Sequence, residues 1–156
     1  MTKNEKLYDY AHNKGICIIN ASFSETKKAA CLKSDFGKVI VLDKMAIKSQ
    51  QEEREVLAEE IGHFATNALY IIEATANTNT ARSNRIKYEA QAKRWAIRRI
   101  LPVHRIKKAF DKGLYMNYEV ADELDVSTEF LAYAMKFYIS KGELSPDYFE
   151  GAGVRA

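Results

Sequence analysis

The sequence contains few of the features that mark secreted or membrane proteins. It has only two cysteines, Cys17 and Cys31, among 156 residues, so no disulfide framework is indicated and two buried thiols are the simplest interpretation. No apolar run approaches the ~18 residues of a membrane-spanning helix. The first residues, MTKNEK, lack the apolar core of a signal peptide. These absences predict a cytoplasmic protein without a membrane partner.

Common catalytic motifs are absent as well. No serine or cysteine lies in a nucleophile elbow, and the seven glycines form no phosphate-binding loop. Histidine is also scarce, since His12, His63 and His104 are the three in the chain. We expect His12 and His104 to be surface or internally satisfied residues rather than metal ligands. Nucleophilic catalysis by serine or cysteine is therefore disfavoured.

What the chain does contain is an ordinary globular composition with an uneven charge. Hydrophobic residues make up 47% and charged residues 29%, which is typical of a folded domain with one core. Residues 82–112 hold eleven Lys or Arg and two acids, a net charge of +9. Because the whole chain carries +3, the remaining residues carry −6. This basic stretch can bind nucleic acid or an acidic partner, or form an outer helix face that pairs with acids of the same protein. The structural interpretation is favoured.

The first third of the chain predicts a helix followed by a small sheet. Thr2 and Glu5 have the spacing of a capping box, and Gly15 ends the helix that follows. Short apolar runs typical of strands occupy 16–19, 29–32 and 38–42, with a turn at 35–37. We expect an antiparallel sheet. Its hairpin is either a plain core element or an edge to which a substrate backbone adds.

The next helix carries the main candidate site. Ser49 and Glu52 match a second capping box at its start. Glu59 and His63 are four residues apart and so share a helix face, with Glu60 beside them. This is the spacing of the zinc motif H-E-x-x-H, with Glu in the first position.

Two further features of this helix point to a site against another element. Glu60 and His63 lie close to the apolar side of the helix, and burying a carboxylate costs several kcal/mol unless a metal or a hydrogen-bond network pairs with it. Gly62 has no side chain, which in a helix interior indicates the close approach of another element.

A second acidic position lies on a later helix. Residues 74–81 are polar and rich in Asn and Thr, which predicts a loop that is either a substrate lid or a solvated connector. The helix from Asn84 to Ile100 stops before Pro102. Glu89 lies in the middle of its apolar stripe. A lone acid on a buried face indicates an internal salt bridge or a metal.

The last third is predicted to be helical in three pieces, 103–112, 117–124 and 127–139, and to fray after Ser145. Residues 119–127 have the rhythm of a helix-turn-helix. However, residues 117–140 hold five acids and one lysine, whereas a helix that reads DNA is usually basic. We therefore interpret this part as a packing or partner-recognition unit.

Two segments of the chain resemble one family. Leu57-Ala58-Glu59-Glu60-Ile61-Gly62-His63 is similar to the L-A-H-E-[LI]-G-H segment of the ImmA/IrrE (DUF955-like) metallopeptidases. The segment from Tyr88 to Ala96, YEAQAKRWA, resembles their downstream E-x-x-A-[NR]-x-[FW]-A segment. With Glu59 in place of the motif's histidine, the segment resembles that of phage and mobile-element relatives that carry A-E-E-[LI]-G-H.

The resemblance implies a fold and a set of residue roles. It implies an α+β, compact zincin-like core over 1–102, a helical extension over 103–145 packed on it, and a tail over 146–156. It implies that His63 and Glu89 bind metal and that Glu60 is the catalytic base, while the H-E-x-x-H spacing makes Glu59 the third ligand. The expected metal is zinc. Two carboxylates acidify its water less than two histidines do, so manganese or iron in its place, or an inactive site, are also consistent.

Two functions from different classes follow. The first is a metal-dependent endopeptidase that cleaves a helix-turn-helix transcriptional repressor of a prophage or mobile element, so that it acts as an anti-repressor in gene regulation. The second is a catalytically inactive protein of the same fold that binds a repressor or nucleic acid through its basic 82–112 region. Direct nucleic-acid binding is the less favoured of the two modes.

Overall fold

The α+β class is confirmed by a computed structural model, which describes residues 1–24, 26–69 and 79–148. The helices and strands of this part are α1 (Lys3–Asn13), β1 (Ile16–Asn20), β2 (Ala29–Ser34), β3 (Gly37–Leu42), α2 (Gln50–Ala65), α3 (Asn79–Ile100), α4 (Val103–Asp111), α5 (Asn117–Leu124) and α6 (Thr128–Ser140). Contacts divide the chain into two compact units, Met1–Ala96 and Ile97–Ala156, with the division inside α3. The domain limits at 102 and 145 stay a prediction.

The sheet is mixed, whereas the sequence predicted an antiparallel one. Its strand order is β1-β3-β2, with β2 antiparallel to β3 as expected for a hairpin. Strand β1, however, pairs parallel to β3, with Ile16 opposite Lys38. The antiparallel prediction was wrong for β1 because short apolar runs fix which segments are strands but not their direction. Both β1 and β2 are therefore edge strands.

Helices α1 and α2 are positioned by caps that the sequence indicates. Thr2 and Glu5 form the predicted capping box of α1. At α2, the Ser49 side chain accepts a hydrogen bond from the Glu52 amide as predicted, but the Glu52 carboxylate accepts from the amide of Lys48 instead. Both helices pack on the sheet and on each other. On α2, Leu57 and Ile61 are fully buried and anchor the helix in the core.

The helix that carries Glu89 is longer than the sequence predicted. Helix α3 begins at Asn79 rather than Asn84, so positions 79–81 of the predicted loop are helical. This stretch contains no Gly or Pro, and its polar residues only weakly oppose a helix. The remainder of the predicted lid, 74–78, lies outside the described residues. No helix among 1–24, 26–69 and 79–148 has the length and hydropathy that crossing a bilayer requires.

The second unit contains the three predicted helices, α4 to α6. Gly113, with φ +83°, follows α4, and Asp125, with φ +58°, turns the chain between α5 and α6. The Ser127 side chain caps α6 by accepting from the amide of Phe130. The predicted fraying after Ser145 is not seen at 146–148, which are helical, and the rest of the tail lies outside the described range.

Candidate metal centre

The candidate site forms where α2 and α3 come into backbone contact at Gly62. A Cβ atom added to Gly62 would lie 2.5 Å from the carbonyl oxygen of Ala92. Such a distance is far below normal contact, so only glycine allows this approach of the helices. The predicted close approach at Gly62 is confirmed, and the approaching element is α3. This contact brings the side chains next to Gly62 towards α3.

His63 is the most buried polar group of the site, with 3% of its surface exposed. Its Nδ1 lies 2.7 Å from the carbonyl oxygen of Ala68, and its Nε2 lies 3.5 Å from Oε2 of Glu89. Because a carbonyl only accepts, Nδ1 carries a proton and donates to it. This fixes the ring and directs Nε2 at the carboxylate, as in histidines that bind metal through Nε2.

The pKa of His63 is raised above its ordinary value. Burial alone lowers the pKa of this imidazole, but the hydrogen bonds to Glu89 and to the Ala68 carbonyl, together with the charge of Glu60, raise it by more. In the absence of another cation, a proton on Nε2 is therefore stabilised between the imidazole and the carboxylate. A proton and a metal ion would compete for this position.

Glu89 is less buried than the sequence predicted. Its side chain is 45% exposed, although Ala92 and Ala96 on the same stripe are fully buried. Ile86, one turn before Glu89, is 65% exposed, so the packed face of α3 begins only after Glu89. The stripe was predicted from helical periodicity, which does not reveal how far along a helix its neighbours extend. A half-exposed carboxylate leaves room for water beside His63.

Glu60 lies on α2, as His63 does, and its side chain faces the sheet. Burial raises the pKa of its carboxyl group, and the charge of His63 and a hydrogen bond with Cys31 oppose that rise. Burial and the nearby Glu60 in turn raise the pKa of the Cys31 thiol to about 12, so the thiol is the donor and the carboxylate the acceptor. Cys31 was missed from the sequence as a site residue, since its place opposite α2 depends on strand register.

Glu59, which stands where the H-E-x-x-H motif has histidine, lies within range of the same charges. The pKa of the Glu59 carboxyl group is raised, chiefly by burial. The charges of Lys93 and His63 oppose this rise, whereas the charge of Glu89 adds to it. Glu59, Glu60, His63 and Glu89 therefore share one electrostatic environment. The three carboxylates repel one another, so a cation among them would be stabilised.

The imidazole and carboxylate side chains of the site suit a divalent cation, although the described residues do not form a complete set of ligands. An oriented imidazole facing a carboxylate is a common pair of metal ligands. Within the part of the chain that the structure describes, no group of three His, Cys, Asp or Glu side chains has the spacing of a metal site. His12 and His104 are both exposed, on α1 and α4. The assignment of Glu59, His63 and Glu89 as ligands and Glu60 as base stays a prediction.

Comparison with known proteins identifies the family. The family described as the IrrE N-terminal-like domain, a peptidase family, matches residues 3–136. No curated protein and no solved structure matches the chain. The match spans both of the segments around Glu60 and Glu89 and covers most of the chain, so this protein belongs to the ImmA/IrrE peptidase family.

Proposed function

We propose that this protein is a metal-dependent endopeptidase. The observation that carries the proposal is the 3.5 Å approach of His63 Nε2 to Glu89 Oε2, which joins two helices beside the half-buried Glu60. A structural ion pair would explain the two residues alone. It would not explain why two further carboxylates, Glu59 and Glu60, lie within electrostatic range of that pair at a cost in desolvation.

The residues divide into ligands and a base. Glu59, His63 and Glu89 would hold zinc, or manganese or iron in its place. When bound, such a cation supplies Lewis acidity, which polarises a peptide carbonyl and lowers the pKa of a water molecule. Glu60 accepts a proton from the attacking water and passes it to the departing amide nitrogen. Its raised pKa suits this role, because a base works best when its pKa is close to the working pH.

The edge strand β2 gives the substrate backbone a place to lie. Cys31 on β2 contacts Glu60, so this strand runs beside the proposed catalytic base, and no strand of the described residues pairs with its outer side. An extended substrate segment can add to this edge and present its peptide bond to the site. The resemblance of Ala58-Glu59-Glu60-Ile61-Gly62-His63 to the phage and mobile-element branch supports a helix-turn-helix repressor of such an element as the substrate.

The test begins by determining whether a gene next to that of this protein encodes a helix-turn-helix repressor, which is then used as the substrate. The two purified proteins are mixed with zinc and cleavage is followed by mass spectrometry. The Glu60→Gln variant keeps the shape of the side chain but cannot accept the proton, so we expect cleavage to fall roughly 10²- to 10⁴-fold. Glu129→Gln, at an exposed carboxyl group on α6, is the matched control. Equal cleavage by Glu60→Gln would contradict the mechanism.

A second function is favoured by one observation, that no three metal-binding side chains group together in the described residues. In that case the protein binds a repressor or nucleic acid through residues 82–112 without catalysis. Elemental analysis separates the two, because only the peptidase requires stoichiometric metal. Retention on DNA that weakens with salt, and is lost when Arg94, Arg98 and Arg99 are neutralised, would support nucleic-acid binding.

A further inference from the structure

The second edge of the sheet, β1, lacks the charged side chains, proline and bulge that commonly protect an edge strand. Its sequence, Ile-Cys-Ile-Ile-Asn, contains no lysine, proline or other charge, and its regular pairing with β3 from Ile16 to Asn20 contains no bulge. Lysine, proline and bulges are the usual means of preventing another strand from pairing. Strand β2, the opposite edge, contains Lys33. An unprotected edge indicates a surface made for strand pairing.

The direction of the β1 amides shows which backbone groups of this strand can pair with an added strand. Ala21, just after β1, donates to the Leu42 carbonyl on β3 at 3.0 Å. Successive amides of an extended strand point to opposite sides. The amides of Cys17 and Ile19 therefore point to β3, as that of Ala21 does, whereas those of Ile18 and Asn20 point outward. Together with the carbonyls of the same residues, they form the pattern that an added strand pairs with.

An open groove of about 710 Å³ lies along this edge. Its lining comes from α1 and β1: Met1, Glu5, Tyr8, Asp9, His12, Ile16, Cys17 and Ile18. The lining contains the carboxylates of Glu5 and Asp9, the imidazole of His12 and the amino group of Met1, which lies 3.9 Å from Glu5 Oε2. Glu5 already serves the cap of α1, but exposed Asp9 has no ion-pair partner in the described part of the chain. The groove therefore favours a positively charged side chain next to Asp9.

We propose that this groove binds an extended, basic segment of a partner protein, which adds to β1 as a fourth strand and sets a Lys or Arg against Asp9. Backbone pairing with Ile18 and Asn20 supplies the binding, and the acidic wall of α1 supplies the charge preference. A second copy of this chain fits less well, because it would bring its own Glu5 and Asp9 to an acidic groove. The proposal is independent of the peptidase site.

The probe for this surface is a pair of synthetic nonapeptides. Each alternates valine and threonine, and the central residue is arginine in one and glutamate in the other. Binding to the full chain is measured by titration, and hydrogen exchange of the backbone is then followed by NMR. We expect the arginine peptide to slow exchange at the amides of Ile18 and Asn20. The amides of Cys17 and Ile19, already paired with β3, should change little, and this alternation is specific to strand addition.

The two cysteines supply a second readout in the same molecule. Cys17 is exposed and lines the groove, whereas Cys31 is partly buried with its pKa raised to about 12. Alkylation requires the thiolate, so Cys31 should react slowly with or without peptide. We expect the arginine peptide to protect Cys17 from alkylation and to leave the rate at Cys31 unchanged. Equal protection of both thiols would overturn the proposal, because it would indicate a general change in the protein.

Substitutions test whether Asp9 causes the preference for the arginine peptide. Asp9→Lys should weaken the arginine peptide about fivefold or more and strengthen the glutamate peptide, as expected for an exposed charge pair that is reversed. Asp35→Lys, at an exposed turn of the same unit, is the matched control and should alter neither. Ile18→Pro removes an outward amide and should abolish binding, with thermal unfolding as the check on its fold.

Several outcomes would overturn the proposal. These are the absence of binding to either peptide at millimolar concentration, equal binding of the two peptides, or an Asp9→Lys variant that binds as the natural chain does. Self-association that is lost in Ile18→Pro would instead assign the edge to a second copy. Glu60→Gln should bind the arginine peptide unchanged, so failure of the peptidase mechanism and failure of this groove are separable.

Discussion

Among the described residues of the first unit, Met1–Ala96, three ionisable side chains are buried, Asp43, Arg54 and His63, whereas the buried side chains described in the second unit are almost all hydrocarbon or aromatic. The carboxyl groups differ in the same way. Burial raises the pKa of Glu59 and Glu60. In the second unit, the pKa of Glu143 is lowered by a hydrogen bond from Arg98 on the surface.

The difference shows where charge has been placed at a cost to stability. Buried charge is tolerated when it has enough hydrogen bonds. Asp43 has them: it accepts from the amides of Phe23, Met45 and Ala46, and its pKa is lowered as a result. The two glutamates of α2 have raised pKa values instead. We infer that Glu59 and Glu60 at the candidate site, unlike Asp43, are held in an unfavourable environment by the surrounding packing.

The largest expected change in stability comes from separating the helices at that centre. In Gly62→Ala, the new Cβ would meet the Ala92 carbonyl oxygen at 2.5 Å. Overpacking of this kind costs ~1–3 kcal/mol, offset in part by the ~1 kcal/mol gain in helix propensity. Because the obstacle is backbone rather than a flexible side chain, we expect the upper end of this cost and a net fall of about 2 kcal/mol in the free energy of unfolding, measured by urea denaturation. Metal affinity should also fall, since His63 is displaced from Glu89.

A second substitution tests whether the backbone or the side chain of Ala92 obstructs an added Cβ atom at Gly62. The atom that Gly62→Ala would strike belongs to the backbone of Ala92, so adding Ala92→Gly to the variant should not restore stability. Full recovery in the double variant would mean that the side chain of Ala92, rather than the approach of the helices, determines the site. Unchanged stability of Gly62→Ala would show that the helices can move apart freely.

Much of the fold was predictable because its signals are local. Gly15 and Gly113 mark helix ends, the cap of α1 needs only Thr2 and Glu5, and each strand is an apolar run between turn residues. The direction of β1 was not predictable in this way. It depends on how the connection from β1 to β2 crosses the sheet, and no single residue encodes that path.

The candidate site shows the same division. The approach at Gly62 and the pairing of His63 with Glu89 could be predicted, because a missing side chain and two matched motifs each indicated a partner. The contact of Cys31 with Glu60 could not, since it depends on strand register. The exposure of Glu89 was also missed, because periodicity describes the face of a helix and not its packed length.

A smaller loss is expected from the core of the second unit. The Tyr138 hydroxyl donates to the Leu101 carbonyl at 2.9 Å, and both residues are buried. In Tyr138→Phe the carbonyl loses this donor, so we expect a fall of about 1 kcal/mol in the free energy of unfolding. Tyr118→Phe, at a side chain that is 63% exposed, is the control and should be neutral. A neutral Tyr138→Phe would show that water or another donor replaces the hydroxyl.

The smallest expected effect concerns the pH dependence of stability in metal-free protein. Glu59 and Glu143 should contribute to this dependence with opposite signs. The pKa of Glu59 is raised in the folded state by burial, so its contribution to stability is present below its unfolded pKa of about 4.5 and is lost as pH rises through the folded pKa. Glu59→Gln should therefore stabilise the protein at pH 8 relative to its effect at pH 4.

Glu143 should behave in the opposite way. Its pKa is lowered chiefly by the hydrogen bond from Arg98, so its contribution is present above its unfolded pKa and is lost as pH falls through the folded pKa. Glu143→Gln should destabilise at pH 7 and become neutral at low pH, by a small amount because the pair is on the surface. Thermal unfolding of both variants from pH 4 to 8 measures the two slopes. Slopes of the same sign would mean that Glu59 is not strained in the folded protein, because its carboxylate would then be as well satisfied as that of Glu143.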